Sequence, residues 1–271
     1  MLTFVRTRLG KLVLGLMVVG VAAGGAIAAT SLTAGASPPP VDHFLCYLST
    51  STATPVLGFK PVPVRLVNQF APNGFVPRVD PVDFHCNPAQ KIVGTHVTRI
   101  TNPNAHLLCW HLTVTQPSRI VRVRNQFGTG VLQTSSPTQL CLPSWKSLTG
   151  PPKQPTVAPP GLSHFTCYPV AYVPGTAPFK PPAGVRVRDQ FSPAPVTVTV
   201  GPPKLLCLPT TKITAKATYP MVNSALHLLC FQVSPTPTKN PVYDQNQFGT
   251  GKVNIQHTSL LCLPSTKQVL H

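Results

Sequence analysis

Short stretches of the chain alternate apolar and charged residues with a period of two. Val185-Arg186-Val187-Arg188 and Val121-Arg122-Val123-Arg124 do so, and Val64-Arg65-Leu66 follows the same rule. This is the period of a half-buried β-strand, whose successive side chains face opposite ways. The valines and the leucine are expected to face a core, and the arginines water. These stretches run into Asn-Gln-Phe or Asp-Gln-Phe marks headed by Asn68, Asn125 and Asp189, and a fourth mark starts at Asn246. Asn and Asp bond nearby backbone and tolerate turns, so each mark predicts a hairpin, with the Phe returning to the buried face. Two marks continue as Gln-Phe-Gly-Thr-Gly (126–130 and 247–251), the chemistry of a hairpin turn. Gly-x-Gly also occurs in phosphate loops, but no helix signal follows it here, and that reading is set aside.

The same marks organise the whole chain. The eight cysteines repeat at a constant offset of 121 residues, so that Cys46, Cys86, Cys109 and Cys141 map to Cys167, Cys207, Cys230 and Cys262. Each half is itself double. Four segments open with His-x-x-Cys-aromatic (at 43, 106, 164 and 227), pass through the Asn/Asp-Gln-Phe mark, and close with Cys-x-Pro-x-x-Lys (at 86, 141, 207 and 262). A period of about 60 residues marks a repeat architecture. The expected organisation is a signal peptide over 1–36, a Pro-rich spacer over 37–42, a first β-domain over 43–146, a Pro-rich linker over 147–163, and a second β-domain over 164–271. Two modules of a few strands each make one sandwich or barrel of common size. The expected fold class is therefore all-β, as two tandem disulfide-stabilised domains.

Composition supports this and narrows the chemistry. Of 271 residues, 34 are proline, well over twice the usual ~5%, which leaves few stretches where a helix could run. The chain has 5 acidic residues, all Asp, against 22 Lys and Arg, for a net charge of +17. Enzymes built on carboxylate pairs and carboxylate-rich metal cages are poor fits to so few acids. The N-terminus carries Arg6, Arg8 and Lys11, then an apolar run from Leu12 to Ala29. This is the pattern of a secretory leader, with cleavage sites after Ala28 or Ala36. An uncleaved anchor holding the protein at the outer face of a membrane is the alternative. Either way the rest is expected to be exported and strongly basic.

In this order, the His-x-x-Cys-Tyr, Asp-Gln-Phe and Leu-Cys-x-Pro-x-x-Lys marks resemble an uncharacterised family of secreted bacterial proteins, a domain of unknown function. The resemblance covers both halves. It implies export and tandem β-modules, and it transfers no catalytic residue.

Four cysteines per exported half argue for two disulfides each, and four cysteines allow three connectivities. Descent from a two-cysteine module favours Cys46–Cys86, Cys109–Cys141, Cys167–Cys207 and Cys230–Cys262. Zinc is a weaker reading of His43, His106, His164 and His227, because residues three apart on a strand face opposite ways. A hydrolytic triad needs an orienting acid. Among Asp42, Asp80, Asp83, Asp189 and Asp244 only Asp189 lies within a repeated mark, and His85, His96, His111 and His257 show no partner pattern. No catalytic residue, metal or cofactor is assigned. The expected function is a secreted, non-enzymatic structural or binding protein that engages an extracellular or envelope polyanion through Arg65, Arg122, Arg124, Arg186 and Arg188. A secreted hydrolase or enzyme inhibitor with a non-repeated site is the alternative. Nucleic acid is not expected, since aromatic stacking platforms are not evident, and membrane contact is expected only through a retained leader.

Overall fold

A computed structural model of the chain describes residues 41–51, 58–238 and 241–270. The leader and all of the spacer before Val41 lie outside the described residues. The first module forms β1 (His43–Ser51), β2 (Arg65–Asn68), β3 (Ala71–Phe75) and β4 (Arg78–Val93), trailed by β5 (His96–Thr98). The second forms β6 (His106–Thr113), β7 (Ile120–Asn125), β8 (Gly128–Thr134) and β9 (Gln139–Ser147). The third forms β10 (His164–Tyr172), β11 (Val185–Arg188), β12 (Val196–Val198) and β13 (Val200–Ile213), trailed by β14 (Thr218–Tyr219). The fourth forms β15 (His227–Val233), β16 (Pro241–Asn246) and the long β17 (Gly249–Leu270).

The first and last strands of every module pair with each other, and also with the neighbouring module. The antiparallel pairings run β1–β4, β4–β6, β6–β9, β9–β10, β10–β13, β13–β15, β15–β17 and back to β1. Eight strands therefore close on themselves as a barrel. Its interior is a cystine belt. Cys46–Cys86, Cys109–Cys141, Cys167–Cys207 and Cys230–Cys262 are bonded across directly paired strand positions, and no described cysteine is free. All eight line one apolar lumen with only about 20 Å³ of free space. Adjacent disulfides touch, with Sγ separations of 3.7 Å for Cys46 and Cys262 and for Cys141 and Cys167.

Because side chains alternate along a strand, the residues flanking the cysteines must face outward. They are leucines and aromatics such as Leu45, Tyr47, Leu108, Trp110, Leu206 and Leu261, and they are as buried as the lumen. An outer layer of hairpins covers them. In the hairpins of the first three modules the alternation read from sequence holds, with Leu66, Val121, Val123, Val185 and Val187 buried and the intervening arginines exposed. The turns are the Asn/Asp-Gln-Phe marks. The carboxamide or carboxylate oxygen accepts the N–H of the Phe two residues on at Asn68, Asn125, Asp189 and Asn246, at 2.8–2.9 Å. Gly128 follows with a φ of 112°, a conformation glycine alone adopts readily. Gly130 is needed for a different reason: a Cβ there would lie 2.4 Å from the Phe179 ring.

The two halves are not separate domains, and the expected division at 147–163 is corrected. The described residues form one compact unit. The Pro-rich stretch merely connects β9 to β10, which pair with Phe165 opposite Cys141. The hairpins bind the halves further, because each extends a barrel strand two modules away: β2 lies on β13, β11 on β4, β7 on β17 and β16 on β9. A half therefore has an open four-stranded sheet and no partners for its own hairpins. An oxidised fragment of 164–271 alone is expected to give no folded monomer. Size-exclusion chromatography with light scattering and a thermal melt check this, and a cooperatively melting monomer would contradict it.

Candidate functional site

At each of four corners between barrel and outer layer, the closing Lys of one module meets the turn of the next. Lys91 Nζ stands 5.4 Å from the Phe127 ring centre, Lys146 4.2 Å from Phe191, Lys212 5.0 Å from Phe248, and Lys267 4.7 Å from Phe70. A cation over an aromatic face is attracted by the ring quadrupole, which here offsets part of the loss of hydration. The opening His of the same module sits beside the Lys, and at two corners the turn Gln of the next module bonds it, His164 to Gln247 at 2.6 Å and His227 to Gln69 at 3.3 Å, whereas His43 Nε2 is buried without a hydrogen-bond partner. Burial, with the neighbouring lysine adding repulsion, lowers His43 and His227 to about 4 and His164 to about 3. Burial likewise lowers Lys212 and Lys267 to about 8.

The corner of His106 and Lys146 departs from this scheme. Where the other modules carry Leu140, Leu206 and Leu261 the first carries His85, and where they carry Leu142, Leu208 and Leu263 it carries Asn87. Asp244 likewise replaces an apolar residue, Leu66, Val123 or Val187 in its counterparts, and Asp189 stands where the other three turns have Asn. Three of these four residues are completely buried and Asp189 is nearly so, and the fold brings all four into one network.

Its orientation follows from hydrogen-bond chemistry. Asn87 Nδ2 donates to Asp189 Oδ2 at 2.8 Å, because a carboxylate oxygen is the acceptor. Asn87 Oδ1 then accepts from Lys146 Nζ at 2.5 Å, His85 Nε2 at 2.9 Å and His106 Nδ1 at 3.1 Å. With its Nε2 proton so used, His85 faces Asp244 Oδ2 through Nδ1 at 3.1 Å, and a proton must lie between them. Tyr47 donates to Asp189 Oδ2 at 2.9 Å; burial and the carboxylate hold this phenol far above its usual pKa. Asp189 Oδ1 accepts the N–H groups of Phe191 and Ser192. Lys146 is lowered to about 8 by burial, while Asp244 and Asp189 pull the other way. Two carboxylates, one ammonium and the shared proton balance in charge, as buried ions require.

Since Asn87 holds His106, Gln190 is not needed there and instead lines a cavity of about 450 Å³. His106 is part of the same wall, with Asp189, Gln90, Asn104, Arg99 and Arg188. Burial keeps His106 neutral, well below its ordinary pKa; Nδ1 carries the proton, so Nε2 is left as an acceptor. Lys91, at its own corner, lines another space of about 350 Å³ with Gln126 and Phe127.

The arginines marked in the sequence do not converge. Arg65 lies on β2 and donates to the Asn73 carbonyl at 2.6 Å. Arg122 and Arg124 lie on β7, Arg186 and Arg188 on β11, and these three strands share no pairing. Only Arg188 of the five lines the cavity, where it is joined by Arg99, which no repeated mark picked out. His85 was equally invisible as one of several scattered histidines. The available signal was its position, one residue before a cysteine, where three modules have leucine. Among the described residues no three His, Cys, Asp or Glu stand together as a metal site.

Fold and site together define an all-β repeat protein, built as a disulfide-belted barrel with one modified corner. The chain belongs to the family described as a repeat of unknown function (DUF7450), whose model matches residues 106–264, the second to fourth modules. Searches of curated proteins and of solved structures return no match.

Two predictions follow from the corners. His85→Leu alone leaves the buried Asp244 without its partner and is expected to cost about 3–5 kcal/mol. The combined change His85→Leu, Asn87→Leu, Asp189→Asn and Asp244→Val restores the residue types of the other modules and should be at least as stable as the parent. Denaturant unfolding with disulfides intact measures both; equal losses in the two variants would contradict the account. The second concerns pH. The buried histidines bind protons in the unfolded chain near pH 6.5 but resist doing so when folded, so they contribute stability above that pH that is lost as it falls toward 4. Each contributes a slope of up to about 1.4 kcal/mol per pH unit. Melting temperatures should drop between pH 6.5 and 4 at fixed ionic strength, and a flat profile there would contradict it.

Proposed function

We propose that the protein is an exported, non-enzymatic binding protein whose modified corner takes an anionic segment of an extracellular polymer. The observation that carries this reading is the 450 Å³ cavity with Arg99 and Arg188 on its wall, at the corner where the repeat is altered. Planar guanidinium forks match carboxylate and phosphate oxygens, and the chain's net charge of +17, of which only Arg6, Arg8 and Lys11 lie in the leader, attracts polyanions from a distance. Four disulfides are typical of extracellular proteins, and the basic, apolar N-terminus reads as a secretory leader. Arg65, Arg122, Arg124 and Arg186 are exposed at separate sites and would add general attraction rather than a shared grip.

Binding of the exported chain to anionic cell-envelope polymers across a salt series tests the proposal. Arg99→Ser with Arg188→Ser should weaken binding at least tenfold. Arg122→Ser with Arg124→Ser should weaken it modestly and flatten its salt dependence, as expected for screened surface charge. Undiminished binding by the first variant, or binding indifferent to salt, would refute it.

A further inference from the structure

We infer that the ligand of the cavity is a hydroxyl-bearing carboxylate, a uronic-acid unit of an acidic glycan, rather than a sulfate or phosphate polymer. This rests on the binding role proposed above and concerns which polyanion the site selects. The reason is that the wall is not uniformly a hydrogen-bond donor. Arg99 and Arg188 offer only donors, which suits any oxyanion. His106 offers the reverse. Its Nδ1–H is committed to Asn87 Oδ1, itself fixed by Asp189, so the ring meets the cavity with a bare acceptor nitrogen, in a side chain only 4% exposed.

A buried acceptor left without a donor costs free energy. Sulfate and phosphate groups carry oxygens that only accept, so polyphosphate or a glycan whose hydroxyls are taken up by sulfate would leave His106 unpaired or set lone pair against lone pair. A uronate brings both halves of the match, a carboxylate for the guanidinium groups and ring hydroxyls that donate to His106 Nε2. Gln90, Gln190 and Asn104 have amides that can give and take hydrogen bonds with the remaining hydroxyls. Ile100 and Pro103 supply an apolar wall for the C–H face of a sugar ring. The Asp189 carboxylate does not repel the ligand's charge outright. Its oxygens accept four hydrogen bonds from Tyr47, Asn87, Phe191 and Ser192, and Lys146 lies within its field.

The altered corner thus has a chemical purpose. In two of the three regular corners a turn glutamine occupies the histidine. Here Asn87 approaches from inside and turns the acceptor edge of the ring toward the cavity.

The test titrates the full exported chain at about 0.15 M salt with oligogalacturonate, O-acetylated oligogalacturonate, dextran sulfate and polyphosphate. The expected result is tight binding of the free uronate and at least a tenfold loss on acetylation, which removes ligand donors but not charge. His106→Leu should lose uronate binding by a similar factor while leaving weak binding to dextran sulfate unchanged. His106→Gln, which retains an acceptor oxygen, should recover part of it. Equal affinity for acetylated and free uronate, or preference for sulfate or phosphate polymers, overturns this inference while leaving the polyanion reading standing. Failure to bind any of the four overturns both. The acetylation comparison uses the unmodified protein, so it decides the matter even if a His106 variant does not fold.

Discussion

Eight cysteine side chains fill the axis of the barrel, and the rest of the molecule follows from that. An eight-stranded barrel has an interior just wide enough for side chains to fill. Here the filling is four disulfides, each joining two directly paired strand positions. Each closes a loop of 32 or 40 residues, worth roughly 4 kcal/mol in the chain-entropy model of the unfolded state. Because the cysteines take the inward positions, the alternate residues point outward, and all but His85, Asn87 and Thr166 are large and apolar. The wall is therefore buried on both faces. A single-layer barrel would leave that outer face in water, so the hairpins are an obligatory second layer.

The way the second layer is attached makes the protein indivisible. A hairpin that folded back on its own module would leave each module self-contained. Instead the first and third modules exchange hairpins, as do the second and fourth. The turn residues reinforce the exchange. Asn68 donates to the Tyr168 hydroxyl at 3.0 Å and Asp189 accepts from Tyr47, while Asn125 and Asn246 reach Ser265 and Ser144. Between adjacent modules the Lys–Phe corners do the same. Every module thus depends on all three others.

Against that regular background, the His85, Asn87, Asp189 and Asp244 cluster is costly in stability terms. Three of its members occupy positions that leucine or valine fills in the other modules, and a buried polar network brings a desolvation penalty that apolar packing avoids. Polar residues of this kind, gathered from three modules into one connected set beneath a cavity, are what a binding site requires: groups held in one orientation by partners that are themselves fixed. The network sets the tautomer and facing of His106, which its own strand leaves open.

What the sequence alone determined was local or periodic. Alternation specified strands and their buried faces, Asn/Asp-Gln-Phe specified turns, and the cysteine spacing specified a repeated disulfide framework in an all-β chain. These are legible because they depend on residues a few positions apart, or on marks written four times. What the tertiary structure decided was which strand edge meets which. Backbone hydrogen bonds carry no label, and all four modules bear the same marks, so pairing within a half and pairing between halves look identical in sequence. Hence one closed barrel stands where two domains joined by a linker were expected. The same non-locality hid the site: His85 meets Asp244 across 159 residues and Asn87 meets Asp189 across 102. The arginines, similar by sequence position, were scattered around the barrel by the symmetry that repeated them.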